Sequence, residues 1–96
     1  MTTITATEEF TNWLRKLRDS KAKAVIAERV QRVARGLLGD VEPVGGAISE
    51  LRIHYGPGYR VYFTRRGEEV VILLCGGDKA TQAKDIKKAH ALAAGL

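Results

Sequence analysis

Two short runs in the middle of the chain gather the side chains best suited to handling a phosphate. Residues 47–55 alternate, with Ser49, Leu51 and Ile53 on one side and Glu50, Arg52 and His54 on the other; residues 59–65 oppose Tyr59, Val61 and Phe63 to Arg60, Tyr62 and Thr64. Gly56-Pro57-Gly58 between them is a turn signal, so the runs read as a hairpin with Arg52, His54, Arg60 and Tyr62 on one polar face. An arginine grips phosphate oxygens through a fork of N–H groups, an imidazole moves protons near neutral pH, and a phenol ring gives a base a face to stack on. A solvated sheet face fits the same spacing, and the pattern by itself leaves both readings open. His54 is likewise either a proton carrier or a hydrogen-bonded structural residue. Tyr62 is either a base platform or sheet packing, while Tyr59 shares the side of Val61 and Phe63 and leans to packing.

Other chemistries find no motif. The chain has no HExxH, no phosphate-binding Walker loop and no GxSxG, and Gly76-Gly77 lacks the spacing of a dinucleotide loop. A single cysteine, Cys75, permits no intramolecular disulfide and no Cys-pair zinc site, and it reads as a small buried hydrophobe. No metal and no cofactor are therefore expected. Sixteen Lys and Arg against eleven Asp and Glu give a net charge of +5, which biases the surface toward polyanions or acidic proteins. Ninety-six residues, 45% of them hydrophobic, suit one domain over 1–96 with a modest core. The opening Met-Thr-Thr-Ile-Thr lacks a charged segment followed by an apolar one, and no window reaches the roughly eighteen apolar residues of a membrane span, so a cytoplasmic protein without membrane contact is expected.

The elements that would position the hairpin follow from periodicity. Residues 2–5 suit a short strand. Thr5 and Glu8 have capping-box spacing, and Phe10, Trp13, Leu14 and Leu17 then recur on one helical stripe, predicting a helix to about Asp19. Ser20 is the expected cap of a second helix bearing Ile26, Val30, Val33 and Leu37, closed by Gly39. Residues 40–46, with Pro43 and a Gly-Gly pair, read as a turn. After the hairpin, Arg66-Gly67-Glu68 turns the chain into the apolar run 70–75, a strand covered on both faces. Asp78 or Thr81 caps a last helix to about Ala94, with Ile86, Ala89 and Ala93 inward and Lys84, Lys87 and Lys88 on or near its solvated side. The order is β-α-α-β-β-β-α, an α+β fold: a twisted antiparallel sheet with the N-terminal helical hairpin packed on it. The expected core is Phe10, Trp13, Leu17, Ile26, Val30, Leu37, Ile72 and Leu74.

The runs Glu50-Leu51-Arg52-Ile53-His54-Tyr55-Gly56-Pro57-Gly58-Tyr59-Arg60-Val61-Tyr62-Phe63 and Leu73-Leu74-Cys75-Gly76-Gly77-Asp78-Lys79-Ala80-Thr81-Gln82, with Asp85-Ile86, resemble the "addiction module killer protein" branch of the RelE/ParE toxins over nearly the whole chain. That resemblance implies the toxin of a type II toxin-antitoxin system. Its partners would be a cognate antitoxin, a helix-turn-helix DNA binder, and mRNA on the ribosome. RelE-type members cut mRNA in the ribosomal A site by driving the ribose 2′-OH onto the adjacent phosphate without metal; the ParE alternative poisons DNA gyrase. Carried over by position, Arg60 is the leading candidate to stabilise the phosphoryl charge, Arg52 and Lys79 hold positions where the group is commonly basic, and His54 would exchange a proton. Tyr62 would meet RNA, and Lys84, Lys87 and Lys88 either contact RNA phosphates or form a solvated face. The pattern departs at Glu50, where RelE-type enzymes carry a second basic residue, and it lacks the tyrosine that some have near the C-terminus.

Overall fold

The computed structural model describes residues 2–96. Its elements are β1 (Thr3–Ala6), α1 (Glu8–Lys16), α2 (Ser20–Ala34), β2 (Val41–Pro43), β3 (Ile48–Ile53), β4 (Tyr59–Arg66), β5 (Val70–Asp78), a 3-10 turn (Lys79–Thr81) and α3 (Gln82–Ala94). The five strands form one sheet in the order β1-β5-β4-β3-β2. β2 to β5 pair antiparallel, as expected of strands joined by short turns, whereas β1 runs parallel to β5. β2 is an element the Pro43 and Gly-Gly signals concealed. It is only three residues long and lies at the sheet edge, where proline is tolerated because no neighbour needs its missing N–H.

Helix ends differ from expectation by a residue or more, for reasons visible in the caps. Thr7, not Thr5, caps α1 by accepting from the Phe10 N–H, and its hydroxyl also donates to the Leu74 carbonyl, tying the helix start to β5. Asp19 rather than Ser20 caps α2, its carboxylate accepting from Lys21 and Ala22. α2 stops at Ala34 because Gly36, at φ 83°, turns the chain left-handed, with the Leu37 N–H reaching back to the Arg32 carbonyl. That early stop puts Leu37 outside the helix and 61% exposed, so it is not part of the core.

The sheet separates two apolar layers. On one face, Phe10, Ile26, Val30 and Val33 of the helical hairpin meet Leu51, Ile53, Val61, Phe63, Val71 and Leu73, with Trp13 and Leu17 partly buried at the margin. On the other, Ile48, Tyr62, Ile72, Leu74 and Cys75 meet Ala89 of α3, with Ile86 and Ala93 beside it. Ile72 and Leu74 are thus buried, but under α3 and not under the hairpin. A bulge causes part of this: Tyr62 faces Cys75 and Phe63 faces Leu73, so Leu74 has no partner and both Leu74 and Cys75 turn to the α3 side. Beyond the bulge the two glycines serve opposite faces. A Cβ at Gly76 would run into the Trp13 ring, and one at Gly77 into the Asp85 carboxylate, so the Gly-Gly pair lets α1 and α3 close onto one strand from both sides.

Candidate functional site

The hairpin register places Arg52 opposite Arg60 and Glu50 opposite Tyr62, all four on the α3 face, and the start of α3 brings Gln82 over them. Glu50 lies at the centre and is 0% exposed. Leaving a carboxylate there without partners would cost far more than a domain of this size can spare. Four donors resolve this. Oε1 accepts from Arg52 Nε at 3.0 Å and Arg60 Nη1 at 2.7 Å; Oε2 accepts from the Tyr62 hydroxyl at 3.0 Å and Gln82 Nε2 at 2.9 Å. Burial opposes ionisation of Glu50, but the hydrogen bonds from Arg52, Gln82 and Tyr62 and the charge of Arg60 outweigh it and hold the carboxyl below its ordinary value. The same burial, with the Glu50 carboxylate beside it, drives the Tyr62 phenol upward, so that hydroxyl stays protonated and donates.

The two arginines sit differently. The Arg60 side chain is 12% exposed and directed inward to Glu50, while that of Arg52 is 35% exposed and spends only Nε on the carboxylate. Two guanidiniums share the one buried carboxylate, and Arg52 is the more open of them, with Glu50 first and then Asp40 and Glu42 holding its guanidinium further above its ordinary value. Lys79 stands exposed in the 3-10 turn, its Cβ beside Gly58, at the sheet end where β4 begins. Asp78 caps that turn by accepting from Ala80, which fixes where the lysine leaves the backbone. Neither the groove lined by Phe10, Leu14 and Ala24 nor that lined by Gln31, Arg35 and Arg65 includes Arg52, Arg60 or Lys79. Those three residues lie on open surface or just beneath it. Among the described residues no three His, Cys, Asp or Glu side chains converge as a metal-ligand set, and no helix is long and apolar enough to cross a membrane.

Other expected site residues are placed as follows. Tyr62 is fully buried, so its ring offers no face to a base; the phenol is a structural donor to Glu50. His54 lies just beyond the end of β3, with a side chain 75% exposed and Nε2 2.6 Å from Asp40 Oδ2, next to the β2 edge, and it makes no hydrogen bond to Glu50. Lys84 and Lys87 are solvent-exposed, whereas Lys88 is partly covered and pairs with Glu9 of α1 at 3.4 Å. Periodicity put Glu50 on the right face without giving it a role. The signal was there: a carboxylate two residues before an arginine on one strand face shares that arginine's neighbours. Gln82 carried no such signal, because it meets Glu50 only through the packing of α3.

The family model for phage derived protein Gp49-like (DUF891) matches residues 12–94. An uncharacterized protein of Haemophilus influenzae is 51% identical over 90 residues, covering 94% of this chain and 91% of that one. Among solved structures, E. coli toxin RelE in the free state, with two arginines replaced by alanine, superposes with a TM-score of 0.71 at 16% identity over 92% of each chain. A chain of the intact E. coli RelBE toxin-antitoxin complex gives 0.68 at 16% identity, covering 81% of this chain and 96% of that one. A conserved hypothetical protein of Helicobacter pylori gives 0.51 at 17% identity, over 83% and 97%. The α+β arrangement of sheet, hairpin and third helix is therefore that of RelE, as the resemblance implied, and the chain belongs to the phage derived protein Gp49-like family.

Proposed function

We propose that this chain is the toxin of a toxin-antitoxin pair and that it cleaves mRNA on the ribosome. The observation that carries the reading is the open basic surface at the sheet end: Arg52, the more open of the two arginines on Glu50, and the exposed Lys79, outside the two grooves described above. An open surface suits an extended phosphodiester strand better than an enclosed small molecule. In attack of a ribose 2′-OH on the neighbouring phosphorus, negative charge grows on the phosphoryl oxygens, and guanidinium and ammonium groups already in place stabilise that charge more than the ground state. Arg52 is the group for this role, assisted by Lys79. Arg60, tied to Glu50, serves as the buried counter-charge of that carboxylate. His54 is exposed and free to reach a substrate proton once it parts from Asp40. Lys84 and Lys87 extend the positive surface along α3 toward RNA phosphates.

The partner is a cognate antitoxin of helix-turn-helix type that covers this surface in the cytoplasm, in keeping with the RelBE complex among the structural neighbours. One experiment tests the function. Purified protein is added to translating ribosomes carrying a defined mRNA and, in parallel, to DNA gyrase with relaxed plasmid. Cleavage of the mRNA, lost by roughly 10²–10³ in Arg52→Ala, is the expected result. Intact mRNA together with inhibited gyrase would overturn the reading.

A further inference from the structure

We infer that Glu50 is a positioning residue: its buried carboxylate holds Arg52 by Nε alone and so aims the two Nη groups outward as a pre-formed fork for a phosphodiester. The inference rests on the ribonuclease reading and deepens it at one residue. Three observations support it. Glu50 is 0% exposed and anchored from three elements, by Arg60 and Tyr62 of β4 and Gln82 of α3 besides Arg52 on its own strand, so the acceptor cannot move with its donor. Arg52 donates to it through Nε at 3.0 Å, and no protein acceptor takes an Nη hydrogen of Arg52 among the described residues. Arg60 already supplies the buried carboxylate with a counter-charge at 2.7 Å, with Tyr62 and Gln82 on the second oxygen. Glu50 thus keeps three partners besides Arg52, and its place does not depend on Arg52 alone.

Orientation is what that contact adds. A free arginine must surrender rotamer freedom when it grips a phosphate, whereas one tethered at Nε has lost most of it on folding. The remaining N–H groups lie in the plane of the guanidinium, so holding Nε sets the direction of the fork. Substituting the carboxylate should therefore impair the reaction through Arg52, lowering kcat more than it raises KM, because the geometry matters most where charge develops.

A double-mutant cycle and a resonance test this. In the wild-type chain the Arg52 Nε–H should be observable by nitrogen-resolved NMR and slow to exchange, and Glu50→Gln should lose that protection. In cleavage on translating ribosomes, Arg52→Ala should lower kcat by about 10²-fold in the wild-type background but by less than about 3-fold in the Glu50→Gln background, since the fork is already misdirected there. An equal loss in both backgrounds would show that Glu50 does not act through Arg52, and overturn the inference. Should Glu50→Gln not fold, Arg52→Lys decides: an ammonium has no Nε tether and no fork, so less than about a tenth of the activity should return, and full recovery overturns the inference. A wild-type chain that cleaves nothing sinks the ribonuclease reading but not the device. The Arg52 resonance then judges it alone: fast exchange in the wild type overturns it, and protection lost in Glu50→Gln upholds it.

Discussion

Replacing Arg60 with alanine should destabilise this protein markedly before it says anything about catalysis. The guanidinium is 12% exposed and lies 2.7 Å from a carboxylate that is itself fully buried. Removing one member of such a pair leaves the other charged and poorly compensated, typically a loss of about 3–5 kcal/mol. Here Glu50 keeps Arg52, Tyr62 and Gln82, which places the expected loss at the low end, about 3 kcal/mol. For a domain approaching 100 residues each kcal/mol moves the midpoint by roughly 4–8 °C, so the melting temperature should fall by about 12–24 °C. Thermal unfolding followed by far-ultraviolet circular dichroism measures this directly, and Glu50→Gln combined with Arg60→Ala should cost clearly less than the two single losses added. A fall of under about 4 °C, or strict additivity, would mean that the Glu50 cluster is not the polar centre described above. Any loss of activity in Arg60→Ala is then interpretable only beside its stability.

Acid should unfold the protein through the same group. Because the folded Glu50 carboxyl lies below its ordinary 4.5, its stabilisation is complete above about pH 4.5 and is lost as pH falls through the depressed value; a denaturation midpoint that declines in that window in wild type, with a smaller decline in Glu50→Gln, is the expected pattern. Gly76→Ala should press on Trp13 and Gly77→Ala on Asp85, each overpacking a close helix-strand contact at a cost of about 1–3 kcal/mol, measurable by urea titration. The Cys75 thiol, buried and pushed up to about 12, should react with a thiol reagent only as fast as the protein opens, and promptly in denaturant.

Where a residue's environment is local, the sequence disclosed it. The alternation of 47–55 and 59–65 gave the hairpin and the shared face of Arg52 and Arg60, because a strand's period of two fixes which side chains face together; their direct pairing came from the register. The stripe of Phe10, Ile26 and Val30 gave the helical hairpin's inner surface in the same way. What alternation could not disclose was depth. Tyr62 is polar-tipped and in phase with two arginines, yet α3 descends on that part of the strand and encloses it, and only the tertiary packing of a segment twenty residues away decides this. Leu37 shows the converse: its spacing suits the helical stripe, but the Gly36 turn ends α2 first. His54 was in phase with Arg52, and the strand ended one residue too soon to keep it there.

The parallel pairing of β1 with β5 bears on the order in which the molecule assembles. Thr3 lies beside Val70 and Thr7 bonds Leu74, 67 residues onward, so the start of the chain is held by one of its last strands. Local hairpins can form early, but the helices of residues 8–34 have no complete apolar surface to lie against until Val71 and Leu73 are in register. Closing so long a loop carries an entropic cost before the contacts reward it, which makes docking of β1 and α1 a late, slow event in folding. Until then the apolar run of β5 presents an unpaired edge.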